Sequence, residues 1–161
     1  MDLDLLRPFD FKKVDELYYT FISRDGITYN VFFSPLQEIY PKLINTYSFS
    51  IEREDKNAHP IDARIAVTVA TILKRFFENN ENAMIMICDT LDGKEAKRRK
   101  LFDRWYKRFN DGSLEKYDAS ASTAEYELFI SIYFTRTNPN RRQLIEAFRD
   151  LLASDLYEMV I

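Results

Sequence analysis

Two runs rich in aromatic and β-branched residues, Leu17 to Arg24 and Ile27 to Phe33, flank the dipeptide Asp25-Gly26. Asp-Gly accepts the positive φ angles of a two-residue type I′ turn, whose twist matches that of the strands it joins. The pattern therefore predicts a β-hairpin and commits the chain to building a sheet. In the register of a two-residue turn, Ile22 opposes Tyr29, Thr20 opposes Val31 and Tyr18 opposes Phe33. Residues opposite one another share a face, so these six are expected on the core side, with Tyr19, Phe21 and Phe32 on the other.

The rest of the chain alternates. Tyr47 to Arg53 has a period of two, with Tyr47, Phe49 and Ile51 alternating with polar residues, and reads as a third strand. Residues 61–78 carry Ile65, Val69, Ile72, Leu73 and Phe76 at helical spacing, a stripe broad enough for a helix packed against the sheet. Ala83 to Cys88 is a short continuous apolar run, as in a strand covered on both faces. A second helix is expected from Lys94 to Phe109, and residues 113–125, small and polar, fit no period. A strong strand spans Tyr126 to Thr135. Asn138-Pro139 then supplies a helix cap and a first-turn proline for a last helix reaching about residue 157. The order β-β-β-α-β-α-β-α predicts an α+β fold, a hairpin-led, mainly antiparallel sheet with three main helices covering mainly one face. At 161 residues the chain is the size of one domain, expected to run 1–161.

Composition narrows the function. The single cysteine, Cys88, precludes an internal disulfide, and with His59 as the only histidine a zinc site of the usual ligands is excluded. His59 precedes Pro60 in a polar stretch and reads as a surface residue. There is no glycine-rich phosphate loop and no Gly-x-Ser-x-Gly elbow. No apolar run approaches the length of a bilayer span, and the first residues are acidic rather than signal-like. The expectation is a cytoplasmic protein with no membrane partner, metal or cofactor.

Charge is segregated. Residues 94–108 hold eight basic side chains against Glu95 and Asp103, a net +6 in a chain of net −3, which leaves −9 for the rest. The same segment carries Leu101, Phe102, Trp105 and Tyr106 at helical spacing. It reads as an amphipathic helix whose wet face bears Lys97, Lys100, Arg104, Lys107 and Arg108. Such a face fits an anion, either nucleic-acid phosphate or an acidic partner protein. It equally fits a solvated helix neutralised by acidic groups of the same fold.

Asp89-x-x-Asp92-Gly93 places two carboxylates after an apolar strand and before a helix, where a metal or acid/base chemistry could use them. A turn capped by aspartate explains the same residues. Glu95-Ala96-Lys97 has the Glu-x-Lys spacing of many nucleases, but falls on a helix where those enzymes use a strand.

Several stretches together resemble an uncharacterised family of small bacterial proteins, a domain of unknown function. They are the hairpin around Asp25-Gly26, Tyr47-Ser48-Phe49-Ser50, Asp62-Ala63-Arg64-Ile65, Cys88-Asp89-x-x-Asp92-Gly93, Arg99-x-Leu101-Phe102-x-x-Trp105 and Asn138-Pro139. The resemblance spans roughly residues 17–150. It implies a stand-alone bacterial cytosolic protein and brings no activity or catalytic residue. The expected function is non-catalytic binding through the basic helix, with self-association suggested by the apolar ending Leu156 to Ile161. The alternative is a small metal-dependent hydrolase or nuclease centred on Asp89 and Asp92.

Overall fold

The computed structural model describes residues 7–54, 63–89, 95–122 and 127–154. Seven strands and three helices follow in the order β1 (Phe11–Asp15), β2 (Tyr18–Ile22), β3 (Thr28–Pro35), β4 (Thr46–Arg53), α1 (Ala63–Phe76), β5 (Ala83–Asp89), α2 (Glu95–Phe109), β6 (Leu114–Ser122), β7 (Glu127–Thr135) and α3 (Arg141–Ser154). The strands form one sheet in the order β1-β2-β3-β4-β5-β7-β6, mostly antiparallel, with β4 and β5 parallel. The α+β class and the expected order stand. β1 and β6 are additions, and β6 fills the segment in which no period was visible. Contacts cluster in two compact units, one of residues 1–34 and 49–78, the other of 35–48 and 79–161.

In the first unit the hairpin turns where Asp25-Gly26 predicts, but with a loop one residue longer. Ser23 N–H donates to the Ile27 carbonyl at 2.8 Å and Gly26 N–H to the Ser23 carbonyl at 3.0 Å, with Gly26 at φ 77°. Arg24, Asp25 and Gly26 thus form a three-residue loop that ends on a left-handed glycine. The extra residue shifts the register: Phe21 opposes Tyr29 and Tyr19 opposes Val31. The expected core face is therefore right for β3, where Tyr29, Val31 and Phe33 are buried, and inverted for β2. Tyr19 and Phe21 are buried and Ile22 is 60 % exposed. A slip of one residue exchanges the faces of a strand.

Helix α1 covers the buried face. Phe76 stacks on Phe33 with centroids 4.2 Å apart, and Phe33 also meets Phe49 at 5.7 Å. Arg64 lies over the Phe9 ring, and Thr68 Oγ1 accepts from Phe9 N–H at 2.8 Å. On the opposite face Tyr18 stacks on Phe32, both half-buried.

The second unit is three layers deep. In β7, Leu128, Ile130, Ile132 and Phe134 point to one side, where they pack with Leu144, Ala147, Phe148 and Leu151 of α3 and with Leu43, Ala83 and Ile85. The intervening Ser131 and Tyr133 point to the other side, where Tyr106 of α2 meets Tyr133. Here α2 and α3 lie on opposite faces, which corrects the expectation of helices mainly on one. The reason lies in β5 and β7, whose buried residues run on consecutively: Ala83 to Met86 and Ile130 to Thr135 are buried without a break. Such strands need a cover on both sides.

Asn138 starts α3. Its Oδ1 accepts from Asn140 N–H at 2.8 Å, and its Nδ2 donates to the Asn82 carbonyl at 3.3 Å.

Candidate functional site

Helix α2 is built as its pattern predicts. Phe102 and Trp105 are buried and meet edge to face at 4.9 Å, while Lys100, Arg104, Lys107 and Arg108 are exposed. Positions 100, 104, 107 and 108 recur at three- and four-residue intervals, so one face carries all four cations. Among the described residues, Lys100, Arg104 and Lys107 take part in no ion pair. Lys97 belongs to the helix, but its side chain lies outside the described residues.

The helix stops at a turn organised by Asn110. Its Oδ1 accepts from Gly112 N–H at 3.0 Å and Leu114 N–H at 3.1 Å, and its Nδ2 donates to the Leu114 carbonyl at 3.2 Å. Gly112 takes φ 93°, open to glycine at little cost. Tyr106 Oη donates to the same Leu114 carbonyl at 3.1 Å, so the end of α2 is tied to the start of β6.

Beneath the helix lies a charged cluster that the sequence patterns did not single out. Lys116, on β6, points toward α2 with only 9 % of its side chain exposed. Its ammonium donates to Asp103 of α2 and pairs with Asp118 Oδ1 at 3.2 Å. It also sits 5.6 Å from the Tyr106 ring centroid and 5.9 Å from that of Tyr133. Ser131 Oγ donates to Asp118. Burial alone would push the Lys116 pKa down. The bonds to Asp103 and Asp118 outweigh it, and the net direction is up. Lys116 is thus a fixed cation that fastens the underside of α2 to the sheet.

Glu115, the preceding residue, points the other way. It accepts from Arg141 Nε at 2.9 Å and pairs with Arg136 at 3.5 Å. Neighbouring charges on β6 therefore serve opposite layers, as the alternation of a strand requires. The signal for Lys116 was the opposite-charge pair Lys116 and Asp118 at a spacing of two. Small, polar neighbours with low strand propensity masked it.

Between α2 and the β6–β7 pair is a cleft of about 340 Å³ lined by Lys100, Asp103, Asp118, Ser120, Phe129 and Ser131, with Ala119 and Ile130. Lys100 thus stands at the junction of the basic face and the cleft.

The other candidates lie mostly outside the described residues. Asp89 is the last residue of β5, paired with Leu128, but its side chain lies outside the described residues, as do Asp92 and His59. Glu95 and Lys97 fall on α2. No group of three or more metal-ligating side chains occurs among the described residues, and no described helix is long and apolar enough to cross a membrane.

Residues 61–150 match a family of unknown function, DUF6169. The chain belongs to that family. The match runs from α1 to α3 and includes the basic helix and the Lys116 cluster. No curated protein matches the chain. Among solved structures it is similar to a CoA-dependent acyl-homoserine lactone synthase, MesI, at 9 % identity and a TM-score of 0.38, over 85 % of this chain and 70 % of the other.

Proposed function

We propose that this DUF6169 protein is a non-catalytic binding protein that uses the outer face of α2 to hold a polyanion. The observation that carries the reading is the state of Lys100, Arg104 and Lys107, exposed on one face of the helix and without an ion pair among the described residues. Had these charges merely been neutralised by the fold's acidic groups, pairs with them would be expected. Asp103, the acid in the middle of the helix, is instead engaged by Lys116 on the inner side.

The face is short. Fifteen residues of helix span about 22 Å, and the −9 carried elsewhere repels an extended polyanion beyond it. The footprint is therefore a few phosphates or carboxylates, and charge alone gives no base specificity. A cytoplasmic, bacterial setting and self-association belong to the same proposal.

The test is fluorescence anisotropy with a labelled single-stranded oligonucleotide at low salt, alongside poly-glutamate as an acidic-protein mimic. Binding that weakens steeply with salt supports the reading. So does its loss in a Lys100→Glu, Arg104→Glu, Lys107→Glu variant with an unchanged melting temperature. No binding of either probe at low salt sinks it.

The alternative, metal-dependent hydrolysis at Asp89 and Asp92, keeps one supporting fact: Asp89 ends a buried strand, as that reading requires. Divalent-metal stabilisation that disappears in Asp92→Asn would favour it.

A further inference from the structure

The cleft under α2 is distinct from the basic face. Its walls carry both signs of charge within one small volume. Asp103 and Asp118 each engage Lys116 through Oδ1, and a carboxylate has two oxygens and about four acceptor sites. Their side chains are 41 % and 61 % exposed, so accepting capacity faces the cleft. Lys100 supplies an ammonium on the helix side, and Ser120 and Ser131 supply hydroxyls from the sheet side. Phe129 provides an aromatic surface.

We propose that this cleft binds a small zwitterion of the amino-acid class. Its ammonium would donate to Asp103 and Asp118, and its carboxylate would accept from Lys100 and the Ser120 hydroxyl, the Ser131 hydroxyl being already committed to Asp118. Three arguments lead to that class. First, Lys116 offsets only one of the two aspartates, so the inner part of the cluster keeps one negative charge, which favours a cation there. Second, Lys100 stands on the helix wall without an ion pair among the described residues, which favours an anion beside it. A ligand with one charge of each sign meets both demands; a simple cation or anion meets one and is repelled by the other. Third, about 340 Å³ lies at the small end of the range of ligand pockets, ample for an amino acid.

Lys116 is the positioning residue. It holds the two carboxylates at fixed places, so binding does not have to order them.

The experiment is a titration of the full chain, isotopically labelled, with the common L-amino acids, followed through the backbone amide signals of Ser120, Phe129 and Ser131. Amino-acid amides, which keep only the cation, and N-acetyl amino acids, which keep only the anion, serve as controls. The expected result is a saturable shift with at least one amino acid and at least tenfold weaker binding of its two blocked forms. Lys100→Ala and Ser120→Leu, both at exposed positions, should each reduce affinity by tenfold or more without altering the fold. No saturable shift with any amino acid at millimolar concentration overturns the proposal. So does equal binding of the N-acetyl form, which would reduce the site to Lys100 acting as part of the basic face. The proposal does not rest on polyanion binding: Lys100 is shared by the two readings, but Arg104 and Lys107 are not among the residues lining the cleft, so oligonucleotide binding by an Arg104→Glu, Lys107→Glu variant tests the basic face apart from the cleft.

Discussion

Lys116 and Asp118, two residues apart on β6, turn their side chains to the same side of the sheet, and Nζ and Oδ1 meet at 3.2 Å. With Asp103 on α2 they make a polar tie between that helix and β6, beside the ring contact of Tyr106 with Tyr133.

Replacing Lys116 with Met should cost about 1–3 kcal/mol, less than the loss of a fully buried pair, because both aspartates retain access to water. The pH dependence has a definite sign. The folded-state pKa of Lys116 is raised, so its contribution is complete below the unfolded value of about 10.4 and fades as pH rises through the folded value. The difference in melting temperature between the native chain and Lys116→Met should be constant from neutral pH to about pH 10 and shrink above it. A difference that does not change above about pH 10 would mean that the charge of Lys116 contributes nothing.

Gly26 has φ 77°, and a Cβ there would meet nothing within 4 Å. Gly26→Val should therefore cost about 1–2 kcal/mol, wholly from backbone strain. Gly26→Asn, which tolerates that conformation, should cost well under half as much. Urea unfolding of the two variants separates strain from crowding, since a steric clash would penalise both.

Trp105 is 6 % exposed and packed edge to face on Phe102. Its fluorescence should be blue-shifted and poorly quenched by acrylamide, and Trp105→Ala should cost about 3–5 kcal/mol. Ready quenching in the native chain would mean that the apolar side of α2 is open to water.

Asn138 is buried and uses both ends of its amide, at the start of α3 and on Asn82. Asn138→Ala should cost about 1–2 kcal/mol. Asn138→Asp, which keeps the acceptor but loses the donor, should recover part of that. Equal losses would place the whole effect on the Asn82 contact.

The strands and helices were legible because most carry their own period. Helix α2 declared its buried and wet faces through the spacing of Phe102 and Trp105 against Lys100, Arg104 and Lys107. The pairing of β2 with β3 was half legible. Asp25-Gly26 located the turn, but the choice between a two- and a three-residue loop rests on the bonds made by Ser23, which no composition rule encodes. β6 was illegible because Ala119, Ser120 and Ala121 have little strand preference of their own; the strand exists through its pairing with β7. With it went Lys116, whose role depends on what α2 brings over it. The two aspartates that the sequence did single out, Asp89 and Asp92, have side chains outside the described residues.

The loop at Arg24 also sets where this gene can change length. Ser23 and Ile27 remain opposite one another whether two or three residues lie between them, so an in-frame loss of the Arg24 codon leaves Asp25-Gly26 as a ready two-residue turn and every β2–β3 pair intact. The same loss one step earlier within β2, at Phe21 or Thr20, would exchange the buried and exposed sides of all that precedes it in the strand. Length variants among natural relatives should therefore gather at the hairpin tip and be absent from the strands that flank it.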